Sequence, residues 1–93
     1  MDADQISTDL AIVNRRGLHA RAAAKLVTLA EKFSASVEVA KDGQSVSARS
    51  IMGLMMLGAG IGSTVRLSAE GFDAKEALDA IAALIEAGFH ETD

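Results

Sequence analysis

The chain of 93 residues contains no cysteine. Disulfides, thiolate catalysis and cysteine-held zinc are therefore excluded. It contains no proline, and no low-complexity stretch interrupts it, so no linker divides it. Tryptophan and tyrosine are absent and phenylalanine occurs three times. Stacking platforms for single-stranded nucleic acid are thus poorly supplied. No apolar run approaches the roughly 18 residues of a membrane span, and the longest candidate, 51–61, is broken by glycine. The start, Met1-Asp2-Ala3-Asp4-Gln5, lacks the apolar centre of a signal peptide. With two distant histidines and no cysteine, no metal-ligand set stands out. The expectation is one soluble, cytoplasmic domain over 1–93, monomeric, with no metal, cofactor or membrane contact.

Acid is also missing from one region. Between Leu10 and Ala30 there is no Asp or Glu, while Arg15, Arg16, Arg21 and Lys25 all fall there. From Glu70 to Asp93 there are seven acids and one base. The net charge is −4, which argues against a general nucleic-acid binder. A basic patch on an acidic protein suits a small anion or an acidic partner surface. Size limits the site too. A folded surface of about 5,000 Å² encloses one modest core, so a shallow surface site is expected rather than an enclosed pocket.

Eighteen alanines point to closely packed helices. Strand-like alternation over Ile6 to Val13 places Ile6, Thr8, Leu10 and Ile12 on one face. After the turn Asn14-Arg15-Arg16-Gly17, the period becomes helical from His19 to Phe33, with Ala23, Leu26, Val27, Ala30 and Phe33 as the apolar stripe. A short strand around Val37 and Val39 leads to Asp42-Gly43, a two-residue hairpin signal, and returns through Val46 and Ala48. Ser50 is suited to cap a short apolar helix ending at Leu57. Gly58, Gly60 and Gly62 make a loop, and Val65, Leu67 and Ala69 a fourth strand. In the last helix Asp73 is expected as N-cap with Glu76 completing a capping box, and Gly88 as the left-handed terminator, with Phe89 turned back on Leu84.

The order β-α-β-β-α-β-α suits an α+β open-faced β-sandwich: a four-stranded antiparallel sheet with three helices on one face. Strand four should lie between strands one and two. The polar alternates Ser7, Asp9, Glu38, Ser45, Ser47, Arg66 and Ser68 should face solvent.

His19 opens the first helix beside a glycine turn. A helix N-terminus offers unpaired N–H groups and a positive dipole end, and so receives anions. Histidine is a covalent nucleophile. A phosphoryl group on His19 would meet the backbone N–H groups of Ala20 and Arg21 and the Arg21 guanidinium. A lone histidine at a helix start is more often a plain cap.

The neighbours of His19 alter that balance. Gly17-Leu18-His19-Ala20-Arg21, followed by Ala23 and Val27, resembles the active-site segment of HPr, the histidine phosphocarrier family of the bacterial phosphotransferase system. Ser50-Ile51-Met52-Gly53-Leu54-Met55 resembles the regulatory-serine segment of the same family, at the matching separation. The resemblance covers nearly the whole chain and implies a role. His19 would accept a phosphoryl group from phosphorylated enzyme I and pass it to an enzyme IIA protein, with Arg21 facing the phosphate. It implies that Ser50 is a substrate of HPr kinase/phosphorylase, although serine there is also an ordinary cap. Ile51, Met52 and Met55, beside Ala20, Ala23 and Ala24, would form the docking surface, with Arg15 and Arg16 steering an acidic partner. Leu54 and Leu57 read as core. The ending Ala87-Gly88-Phe89 is similar to the nitrogen-related branch. One position departs from the family, which usually has proline after the arginine, where this chain has Ala22. Alanine is as acceptable in a first helical turn, so what it affects is the geometry of the active-site turn.

The competing reading is a regulatory interaction module, in which phosphorylation of His19 or Ser50 governs a partner enzyme or transcription regulator. A nucleic-acid-binding α/β sandwich is the third, opposed by the charge and the missing aromatics.

Overall fold

A computed structural model describes residues 5–91. Strand β1 (Gln5–Ala11) leads to helix α1 (Ala20–Ala30), then strands β2 (Ser36–Lys41) and β3 (Gln44–Ser47). Helix α2 (Ile51–Met56), strand β4 (Thr64–Glu70) and helix α3 (Ala74–Glu86) follow, with a single turn over Gly88–His90. The sheet order is β1-β4-β2-β3, antiparallel throughout. β4 is central: Leu67 is the cross-strand partner of Thr8 on one side and Val39 on the other. β1 and β2 are therefore parallel in direction and separated by β4.

Alternation decides the two faces. Val37, Val39, Val65, Leu67 and Ala69 point under the helices and are buried. Ser7, Asp9, Glu38, Ser45, Ser47 and Arg66 lie exposed on the other face. There the Asp9 carboxylate takes the Arg66 Nε–H at 2.8 Å across β1 and β4. All three helices cover the inner face. α1 supplies Ala22, Ala23, Leu26, Val27 and Ala30 to the core, and α3 supplies Ala77, Leu78, Ile81 and Ile85. The alanines let α1 and α3 approach each other closely. Burying one Leu or Ile side chain contributes about 1.5–3 kcal/mol, so this core carries most of the stability.

Local signals act as the sequence suggests at the hairpin and at α2. Asp42 and Gly43 both have positive φ, 51° and 83°, the two left-handed positions that a type I′ turn demands. Ser50 Oγ accepts the Gly53 N–H at 2.9 Å and caps α2. Leu54 and Leu57 are buried beneath it.

The ends of elements differ from the sequence pattern. β1 stops at Ala11 because the register breaks at Ile12: its N–H still reaches Ser63 O at 2.8 Å, but its carbonyl accepts from Gly62 N while Ser63 N donates to Gly60 O. α1 ends at Ala30 and Phe33 lies beyond it. The capping box at α3 does not form. Asp73 makes no side-chain cap bond. Its carboxylate accepts from Ser34 N at 2.9 Å and Ala35 N at 2.8 Å, tying the start of α3 to the loop after α1. Two loop amides without other partners out-compete the helix's own first turn for a carboxylate.

Candidate functional site

The site is built where the chain leaves β1 and enters α1. Gly17 sits at φ 66°. A Cβ there would lie 2.3 Å from the Ala59 carbonyl oxygen and 2.8 Å from Gly60 Cα, so only glycine fits. The close approach lets Leu18 donate its N–H to Ala59 O at 2.9 Å. The loop 57–63 thereby fixes the direction in which the next residue, His19, leaves the turn. His19 has extended backbone and stands as the N-cap of α1.

The two ring nitrogens have different partners. Nδ1 faces the helix and receives the Arg21 N–H at 3.3 Å. Nε2 faces the other end of the chain and is hydrogen-bonded to Glu91 Oε2. An ionised carboxylate can only accept, so Nε2 carries the proton and Nδ1 keeps its lone pair. The other Glu91 oxygen, Oε1, accepts from Asn14 Nδ2 at 3.1 Å, and the same nitrogen donates to Gly17 O at 2.9 Å. Both acceptors demand the amide nitrogen, which sets the Asn14 orientation. The His19 and Glu91 side chains are only 15% and 12% exposed, so solvent competes little with their contact.

The hydrogen bond from His19 holds the Glu91 carboxyl below its ordinary value. Partial burial opposes this, while Asn14 and the nearby positive charge of Arg16 reinforce it.

Glu91 reaches His19 through an unusual turn. Gly88, Phe89 and His90 are consecutively left-handed, with φ 63°, 57° and 59°. Two of them carry a Cβ, each at about 1–2 kcal/mol of steric cost. Full burial of Phe89 offsets that cost and pins the turn. Lys25 of α1 adds a hydrogen bond from Nζ to Phe89 O at 2.6 Å.

The sequence reading expected Arg15, Arg16, Arg21 and His19 to stand together without acid. The C-terminal turn brings a carboxylate into their midst. Neither Glu91 nor Asn14 was singled out from the sequence. The only available signal was the presence of acids after Gly88. The backbone of Arg21 lies beside His19 as expected, and Ala20 is exposed next to it. On α2, Ile51, Met52 and Met55 are exposed, as is Met56, and α2 packs against α1. Ala24 is half-buried. Ala23 is a correction: it is fully buried and offers nothing to a docking partner, because the α1 stripe that packs the core runs through it.

A family model described as the PTS HPr component phosphorylation site matches residues 6–87. The chain belongs to the HPr phosphocarrier family. Among curated HPr relatives, the phosphocarrier protein HPr of Cupriavidus necator is 52% identical over 86 residues, covering 92% of this chain and 97% of the relative. The phosphocarrier protein NPr of Shewanella violacea is 45% identical over 87 residues, covering 94% and 96%. A crystal structure of HPr from Thermoanaerobacter tengcongensis superposes with a TM-score of 0.90 at 48% identity, covering 95% of this chain and 99% of that one. The open-faced sandwich with three helices on one face is thus the HPr architecture. Among the described residues, no helix is long and apolar enough to cross a membrane.

Proposed function

We propose that residues 1–93 act as one phosphocarrier domain in which His19 Nδ1 takes a phosphoryl group from phosphorylated enzyme I and yields it to an enzyme IIA protein. The observation that carries this reading is the division of labour on the His19 ring. Nε2 is occupied by Glu91 and Nδ1 presents a lone pair at a helix N-terminus. In the transfer the Nδ1 lone pair forms an N–P bond while the donor's bond to phosphorus breaks. The donor atom keeps that electron pair. The Nε2 proton stays in place, so the phosphorylated ring becomes cationic and the Glu91 carboxylate stabilises it, as a buried carboxylate stabilises imidazolium in a hydrolase triad. The Arg21 N–H, no longer needed by Nδ1, turns to a phosphoryl oxygen, and the helix dipole and the Arg21 guanidinium offset its charge. Phosphoryl transfer needs positioning and charge rather than covalent machinery, so a shallow site on a carrier that is not itself an enzyme is sufficient. The reading needs one copy of the chain in the cytoplasm, where its partners act, and no cofactor. Arg15, Arg16, Ala20, Ala24, Ile51, Met52 and Met55 form the partner-facing surface around His19.

The test mixes the protein with phosphoenolpyruvate and purified enzyme I and records intact mass before and after acid. One acid-labile phosphoryl increment, absent from His19→Ala, is expected. Acid-labile phosphate on His19→Ala would overturn the assignment.

A regulatory role is favoured by one further observation. Ser50 caps α2 directly beside exposed Ile51 and Met52. A phosphate from an HPr kinase/phosphorylase would sit at that helix start without unfolding it and would place negative charge on the apolar docking face. A regulated enzyme or transcription regulator would then distinguish the two forms. Identical partner sets in pull-downs with phosphorylated and unphosphorylated protein would remove this role.

A further inference from the structure

The second helix pair, α1 with α3, leaves an open groove of about 600 Å³. Its floor is apolar, made by Ala24, Leu29, Ala83 and Leu84. Its rim is cationic. Arg21 and Lys25 stand at i and i+4 on α1, and Lys32 follows just past the end of the helix. Among the described residues, no Asp or Glu lines the groove, although the protein as a whole carries −4. The volume is that of a small-molecule site, roughly 300–1,000 Å³.

We propose that this groove binds a small anionic amphiphile, an apolar body on the floor with a carboxylate or phosphate head held by the cations of its rim. Charge selects the ligand class. An uncharged apolar molecule leaves three cations beside a desolvated neighbour, and a compact anion leaves the floor wet. The head and body must come together. The groove shares Arg21 with the proposed phosphoryl site, so the test uses the unphosphorylated protein and substitutions away from His19.

The experiment is an amide NMR titration of the unphosphorylated protein with monomeric decanoate and with decyl phosphate, against acetate and decanol. Saturable shifts in the millimolar range are expected with both ten-carbon anions, centred on Ala24, Lys25, Thr28 and Ala83. Response to one head only would identify its source as carboxylate or phosphate. Acetate and decanol should bind at least about tenfold more weakly. Ala83 is exposed on α3, so Ala83→Phe folds and fills the groove, and decanoate should then bind at least about tenfold more weakly. Lys32→Glu should weaken it in the same direction. The proposal is overturned by absence of binding, by equal binding of decanol, by shifts centred on Met52, Met55 and Met56, or by undiminished binding to Ala83→Phe.

Discussion

His19 and Glu91, 72 positions apart in the chain, share a hydrogen bond between Nε2 and a carboxylate oxygen. The contact is nearly closed to solvent and Asn14 holds it from the far side. It divides the imidazole into a held nitrogen and a nitrogen with a lone pair.

Glu91→Gln should therefore keep the fold and slow phosphoryl acceptance. Loss of a carboxylate that orients a histidine costs about 10–100-fold at metal sites, and the lower end, about 10-fold, is expected in the rate from enzyme I. Single-turnover transfer kinetics measure it. An unchanged rate would show that the helix start alone orients the ring.

The Glu91 titration gives a separate check. Its carboxyl lies below its ordinary value of 4.5 because His19 hydrogen-bonds the ionised form. A depressed carboxyl contributes stability that is fully present above the unfolded value and is lost as pH falls through the folded one. Unfolding measured from neutral pH downward should show this loss only below about pH 4.5. Carbon-detected NMR should show the Glu91 midpoint moving up in His19→Ala.

Gly17→Ala should destabilise by more than the about 1–2 kcal/mol of a left-handed alanine, because the new Cβ also strikes the Ala59 carbonyl. Urea unfolding gives the magnitude. Phosphoryl acceptance should fall too, since His19 leaves the turn in a new direction. A stable, fully active variant would mean that the loop 57–63 yields freely.

Asp73→Ala should cost about 1.5–3 kcal/mol, the range for hydrogen bonds to a charged group. Glu76→Gln should be nearly neutral. The opposite order in thermal unfolding would restore the capping box in place of the link to Ser34 and Ala35.

Phe89→Ala should cost about 3–5 kcal/mol as a large-to-small core change. It should also free Glu91, seen as a shift of the His19 ring resonances at a temperature where the variant remains folded.

Much of this was legible in sequence because the signals were local. Asp42-Gly43 dictates its own turn, Ser50 caps the helix it precedes, and the stripes Leu26-Val27-Ala30 and Leu78-Ile81-Ile85 mark their buried faces without reference to other segments. The antiparallel order followed from element order and alternation. The misreadings share a cause. Asp73 bonds amides 38 and 39 positions away, Ala23 belongs to both the packing stripe and the expected docking face, and Glu91 arrives because Phe89 and His90 continue the left-handed conformation that Gly88 announces. Propensity and periodicity describe a segment, and these contacts are made between segments.

The pairing of His19 with Glu91 also sets an order in time. The histidine is synthesised early and its carboxylate partner 72 positions later. At about 5–20 residues per second, that interval lasts roughly 4–14 s. Through it the growing chain carries His19 without the partner of its Nε2. A chain cut short before Glu91 would keep most of its core and lack the carboxylate that holds His19 Nε2.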